Sequence, residues 1–82
     1  MPVVFRDGSR RFHFYSDEGR PREPVHIHVS ERGRDAKFWL FPEVRMARNI
    51  GYNDRELREL AKIILAHRDL IERRWNEFFG NI

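Results

Sequence analysis

The chain contains no cysteine, so no disulfide can brace its 82 residues, and stability has to come from packing, a bound metal or self-association. The lack of cysteine also agrees with a reducing compartment. No stretch approaches the roughly 18 apolar residues of a membrane span, and Met1-Pro2-Val3-Val4-Phe5 runs into Arg6 and Asp7 too soon for a secretory leader. A cytoplasmic location without a membrane partner is expected. Repeats and low-complexity tracts are missing as well, and the length supports one core and no more, so residues 1–82 are read as one domain. Charge of one sign is scarce: 16 Lys and Arg stand against 13 Asp and Glu, for a net charge of +3. Such a surface can meet phosphates, but it has no polybasic arm.

What is present divides into two halves. From Val3 to Arg48 the apolar pattern has period two, and from Asn53 onward it has period 3.6. In segment 11–16, Phe12 and Phe14 fall on one face, with His13 and Tyr15 on the other. In segment 25–30, Val25, Ile27 and Val29 alternate with His26, His28 and Ser30. Glu31-Arg32-Gly33-Arg34 offers Gly33 for a positive φ, which suits a hairpin into segment 35–41. There Ala36, Phe38 and Leu40 oppose Lys37, Trp39 and Phe41. Val44 and Met46 fit a short last strand, and Val3-Val4-Phe5 a first one. Residues 17–24, with two prolines and a glycine, read as a surface loop.

The helical half begins with Asn53 and Glu56 in capping-box spacing, and Tyr52 can staple onto Leu57. At 100° per residue, Leu57, Leu60, Ala61, Ile64, Ile71, Trp75, Phe78 and Phe79 form one stripe. Arg68 interrupts it, so a kink near His67 to Asp69 competes with an unbroken helix, the favoured reading. Ile63 and Leu70 make a smaller patch, read as core packing or as a homodimer seam. The fold class is therefore α+β: an antiparallel sheet of about five strands, packed on one face by a long amphipathic helix over residues 53–79.

Strand alternation turns His26 and His28 together to the face away from the helix. His13, Tyr15, Lys37 and Trp39 share that face if the strands pair as hairpins. Several chemistries remain open for this group. His26 and His28, with His13 or an acid from the 17–24 loop, could hold a divalent metal, although H-x-H alone is a weak signal. The same histidines have an unperturbed pKa suited to acid/base work, with Lys37 and Arg34 to neutralise a phosphate, as in a phosphodiester hydrolase. No nucleophile motif, phosphate loop or paired carboxylates accompany them, which leans against an enzyme. Aromatic planes among cations also suit single-stranded nucleic acid or a partner protein. The plain alternative is histidines packed among Tyr15 and Trp39 as half-buried sheet residues.

Several segments together resemble one family. They are Pro24-Val25-His26-Ile27-His28-Val29, Ala36-Lys37-Phe38-Trp39-Leu40, Arg45-Met46-Ala47-Arg48-Asn49, Arg55-Glu56-Leu57-Arg58-Glu59-Leu60 and Trp75-Asn76-Glu77-Phe78-Phe79-Gly80. The likeness, running from Met1-Pro2 to Gly80, is to small bacterial proteins catalogued as domain of unknown function 4160. Val25 replaces a second proline common before the first histidine, and the segment from Phe41 to Val44 is one residue longer than the usual form. The resemblance implies a prokaryotic, cytoplasmic protein. It also implies a small protein partner encoded nearby, in a toxin–antitoxin-like or regulatory gene pair. No activity or cofactor carries over from it. The favoured expectation is a non-enzymatic interaction module acting through its His/Trp-bearing face.

Overall fold

The computed structural model describes residues 3–16 and 23–80. Five strands come first, β1 (Val3–Asp7), β2 (Arg10–His13), β3 (His26–Glu31), β4 (Arg34–Trp39) and β5 (Arg45–Ile50). Two helices follow, α1 (Asp54–Ala66) and α2 (Arg68–Phe79). The strands form one antiparallel sheet in the order β1-β2-β3-β4-β5, so the architecture is α+β as the periodicities require. None of the described helices is long and apolar enough to cross a membrane.

Each strand turns back onto the one before it. Between β3 and β4 the two-residue turn places Arg32 at φ 42° and Gly33 at φ 81°, the paired positive φ values of a type I′ hairpin. Glu31 then faces Arg34, and the register runs Val29 to Ala36, Ile27 to Phe38 and His26 to Trp39. β4 stops at Trp39. Phe41, expected on the strand beside Lys37 and Trp39, lies beyond it and is 42% exposed, with the Arg68 guanidinium 5.2 Å above its ring. β5 is longer than expected, runs through Asn49 and Ile50, and is exposed at all six positions.

The helices cover one face. Phe12, Ile27, Val29, Ala36 and Phe38 point into the core, where Leu60 and Ile64 of α1 and Ile71 and Trp75 of α2 meet them fully buried. Burying each such Leu or Ile is worth about 1.5–3 kcal/mol. Leu57, Ala61, Ile63 and Phe79 pack partly buried at the margin. Phe78, placed in the buried stripe by periodicity, is 46% exposed and touches its neighbour Phe79.

The helix expected over residues 53–79 is two helices. At His67 the backbone takes φ −110° and ψ 14°. Its N–H is shared between the carbonyls of Ile63 at 3.2 Å and Ile64 at 3.1 Å, while its Nδ1–H donates to the Ile63 carbonyl at 2.8 Å. A side chain that bonds the same carbonyl as the backbone loosens the helical ladder at that point. The break also fits the size of the domain, since an unbroken helix over residues 54–79 would run about 39 Å and the longest dimension is 36 Å. The His67 ring stacks on Phe5 of β1 at 4.3 Å, and Phe5 stacks on Phe12 at 4.3 Å, so the bend is fastened to the first hairpin.

Candidate functional site

Cross-strand pairing decides which side chains share the face away from the helices. His13 pairs with His28, His28 with Lys37 and Lys37 with Arg48, which makes one row across the sheet. His26, Trp39 and Arg45 make a second. Arg6, Arg11, Ser30, Asp35 and Ile50 make a third. The six residues expected on this face touch in sequence. Tyr15 lies edge-on to His13 at 5.2 Å and to His28 at 4.5 Å. His28 stands 5.2 Å from His26, His26 stands 5.4 Å from Trp39, and the Lys37 ammonium sits 4.4 Å over the Trp39 ring.

Burial is where expectation and structure part. His13 and His26 are 0% exposed and His28 is 5% exposed, deeper than half-buried sheet residues. The reason lies partly at the end of the sheet, where Trp75 reaches from the helical layer to within 4.9 Å of the His26 ring. Helix core and histidine layer therefore meet at the start of β3. Around the cluster, Tyr15 remains 38% exposed, and Lys37 and Trp39 are half-buried. These three form the described surface over the imidazoles.

Bonding partners fix two of the rings. The His26 Nδ1–H donates to the Pro24 carbonyl at 2.9 Å, an arrangement that sets the tautomer and locks the ring plane. The Ser30 hydroxyl donates to Asp35 at 3.1 Å, so its oxygen accepts from His13 Nε2–H at 2.8 Å. His13 Nδ1 is buried without a hydrogen bond. Burial pushes the His13 pKa below its usual 6.5, and the nearby His28 adds to the shift. A neutral ring with an Nε2 proton is the consequence. The His–Ser–Asp order is not that of a hydrolytic triad, because Ser30 already gives its proton to the carboxylate and no base faces it.

The metal reading gains no ligand set. Among the described residues no group of three or more His, Asp or Glu side chains is arranged to hold an ion. Glu23, the described acid of the 17–24 loop, comes only to 4.0 Å of His26 Nδ1, a nitrogen whose proton is already committed to Pro24. It also lies 3.5 Å from Lys37 Nζ. Residues 17–22 of that loop lie outside the described part. Arg34, expected as a phosphate-neutralising cation, is instead tied 3.1 Å from Glu31 and 2.6 Å from Glu56.

That tie belongs to a network that strand alternation does not announce. Glu31 accepts from Ser9 at 2.6 Å and from Arg10 at 3.3 Å, while Arg10 reaches Glu59 at 2.7 Å. Hydrogen bonding from Ser9, followed by the charges of Arg34 and Arg10, holds the Glu31 carboxyl below its usual range. Two hairpin turns and the first turns of α1 are joined in this way. The sequence signals were acids at positions 31, 56 and 59 beside the turn arginines, but ion pairing between distant segments needs the topology to be visible. Asn53 caps the N-terminus of α1 as its spacing foretold, accepting from the Glu56 N–H at 2.8 Å while Glu56 accepts from the Asn53 N–H at 3.0 Å.

A five-stranded meander closed on one side by two helices, with a histidine-rich face on the other, defines the class as a small α+β sheet domain. The chain belongs to the family described as a domain of unknown function, DUF4160, whose model matches residues 10–76. No curated protein and no solved structure matches it.

Proposed function

We propose that this chain is a non-enzymatic interaction module that takes a macromolecular partner on the sheet face carrying Tyr15, Lys37 and Trp39. The observation that carries the reading is the one-sided cover: α1 and α2 close only the Phe12, Val29 and Phe38 face, while the opposite face keeps Tyr15 exposed and Trp39 half-buried beside a lysine. Aromatic side chains next to cations concentrate binding energy at recognition surfaces. The histidines beneath support that surface by fixing Tyr15 and Trp39 in place. A His-based phosphodiester hydrolase is less well supported, since imidazoles with 0–5% exposure have no reach to a substrate phosphate in this conformation.

The regulatory or toxin–antitoxin-like setting is part of the same proposal, and what supports it is the family resemblance of the Pro24 to Val29 strand and its companion segments. Photo-cross-linking from inside cells tests the surface. A photoreactive residue replacing Ile50, on the histidine face and 48% exposed, should give adducts. One replacing Leu65, 55% exposed on α1, should give few. Equal labelling from both positions, or none from position 50, overturns the reading.

A further inference from the structure

We infer that the partner taken by the histidine face is a single-stranded nucleic acid, an inference that rests on the sheet-face reading above and assigns its ligand class. The first ground is where the charge lies. α1 and α2 each carry three acidic and three basic side chains, so the helices contribute nothing to the net +3 and the excess belongs to the sheet half. On the histidine face stand Arg6, Arg11, Lys37, Arg45 and Arg48. The two acids on that face among the described residues are engaged, Asp35 by Ser30 and Glu23 by Lys37. Arg6, Arg45 and Arg48 are exposed. Among the described residues, no carboxylate lies within ion-pairing distance of Arg6, Arg11, Arg45 or Arg48. A face with this imbalance is complementary to a polyanion.

The second ground is how the cations and aromatics are spaced. Arg6 sits on β1, Arg11 on β2, and Arg45 and Arg48 on β5, so at ordinary strand spacing Arg11 and Arg6 lie about 14 and 19 Å across the sheet from β5. Lys37 and Trp39 of β4 lie between them, and Tyr15 stands just past the end of β2. Sheets that read single strands use this plan, a row of aromatic planes stacking about two or three bases with cations along the backbone path. The Lys37 ammonium now covers the Trp39 ring at 4.4 Å and, among the described residues, is held otherwise only by Glu23 at 3.5 Å. A base stacking on Trp39 displaces that ammonium, which then moves onto the adjacent phosphate, so one cation–π contact is exchanged for a stack and an ion pair. A duplex offers no such base, because its planes are already stacked, and an acidic polypeptide offers no plane for Trp39.

The test is fluorescence anisotropy of the full chain with labelled oligouridylate and oligothymidylate of about ten nucleotides, duplexes of the same length, and poly-glutamate as competitor. Single strands should bind, with affinity falling as salt rises from about 50 to 200 mM. The R45A/R48A variant should bind at least about tenfold more weakly and lower the logarithmic salt slope by about 1.4, two phosphate contacts' worth. W39L should weaken binding at least about fivefold. R58A/R73A, on exposed helix positions, should bind as the parent does. Thermal melts of each variant show that it is folded, and the arginine variants, being on an exposed edge strand, keep the test valid if W39L is destabilised. Equal affinity for duplexes, displacement by poly-glutamate at equal charge, or no loss in R45A/R48A overturns the inference. Adducts from position 50 that protease removes and nuclease does not would leave the sheet-face reading standing while refuting nucleic acid as the ligand. Absence of any adduct from position 50 would refute both.

Discussion

The imidazoles of His13 and His28 lie ring over ring on adjacent strands, 5.7 Å apart and 23° from parallel. Burial first, and the neighbouring His28 second, disfavour the charged form of His13. Because the folded pKa of His13 is depressed, the unfolded chain binds its proton first as pH falls. The stability it supports is present above its unfolded value of about 6.5 and is lost below that, until the folded form also protonates. Urea denaturation at stepped pH should show a falling midpoint on acidification from neutrality, and His13→Asn should flatten that part of the curve. A midpoint that rises on acidification would contradict the sign.

A second acid-labile contribution sits lower on the pH scale. The Glu31 carboxyl is held down by Ser9 and the turn arginines, and the Glu56 carboxyl by the Asn53 backbone N–H. Their stabilisation is present above the ordinary carboxylate value of about 4.5 and disappears as pH falls through the folded values. Glu31→Gln should cost roughly 1–2 kcal/mol at neutral pH, because Arg10 keeps Glu59 and Arg34 keeps Glu56, and should remove part of the loss seen below about pH 4.5.

Gly51 stands at φ 95°, and a Cβ built there would come 2.8 Å from Arg34 Cγ. Gly51→Ala therefore meets a left-handed backbone and the stem of an arginine that is itself pinned by two glutamates. A loss of about 1–2 kcal/mol is expected from the backbone alone, and Arg34→Ala should recover the part due to the clash. A thermal double-mutant cycle measures both.

Asn53→Ala removes one half of the reciprocal cap on α1 and should cost about 1 kcal/mol. Asn53→Ser retains an acceptor and should recover most of it. Chemical denaturation of the three proteins checks the order, and an alanine variant as stable as the parent would show that the cap contributes nothing net.

Trp75 connects the helical core to the histidine layer, touching both Phe14 at 5.2 Å and His26. Trp75→Ala should cost about 3–5 kcal/mol, a large share of the stability of so small a domain. The gentler Trp75→Phe should leave the fold intact while shifting the ring-proton resonances of His26, on the opposite side of the sheet from α1.

Much of the fold could be read from residue order because each element announces itself locally. The alternation of Ile27 and Val29 with His26 and His28, the Gly33 turn and the Asn53–Glu56 cap depend on neighbours within a few positions. The same locality brought His13, Tyr15, Lys37 and Trp39 to one face. Depth was not legible, because the burial of His26 depends on Trp75, nearly fifty positions away. The break at His67 was legible only as the alternative that Arg68 raised by interrupting the stripe: a histidine side chain bonding to Ile63 competes with the backbone ladder, and an apolar stripe tracks faces rather than ladders. Arg34 looked available to a ligand because nothing nearby in the chain shows that Glu56 will be folded against it.

The strand order itself bears on how the molecule is made. Each strand bonds only to the strand synthesised just before or after it, so the sheet can zip up hairpin by hairpin without closing a long loop. Its greasy side has no lid until Asp54 and the residues after it leave the ribosome. A nascent chain arrested after Asn53 should therefore engage a holding chaperone, and its recovery as a free, protease-resistant monomer would show that the meander stands without its helices.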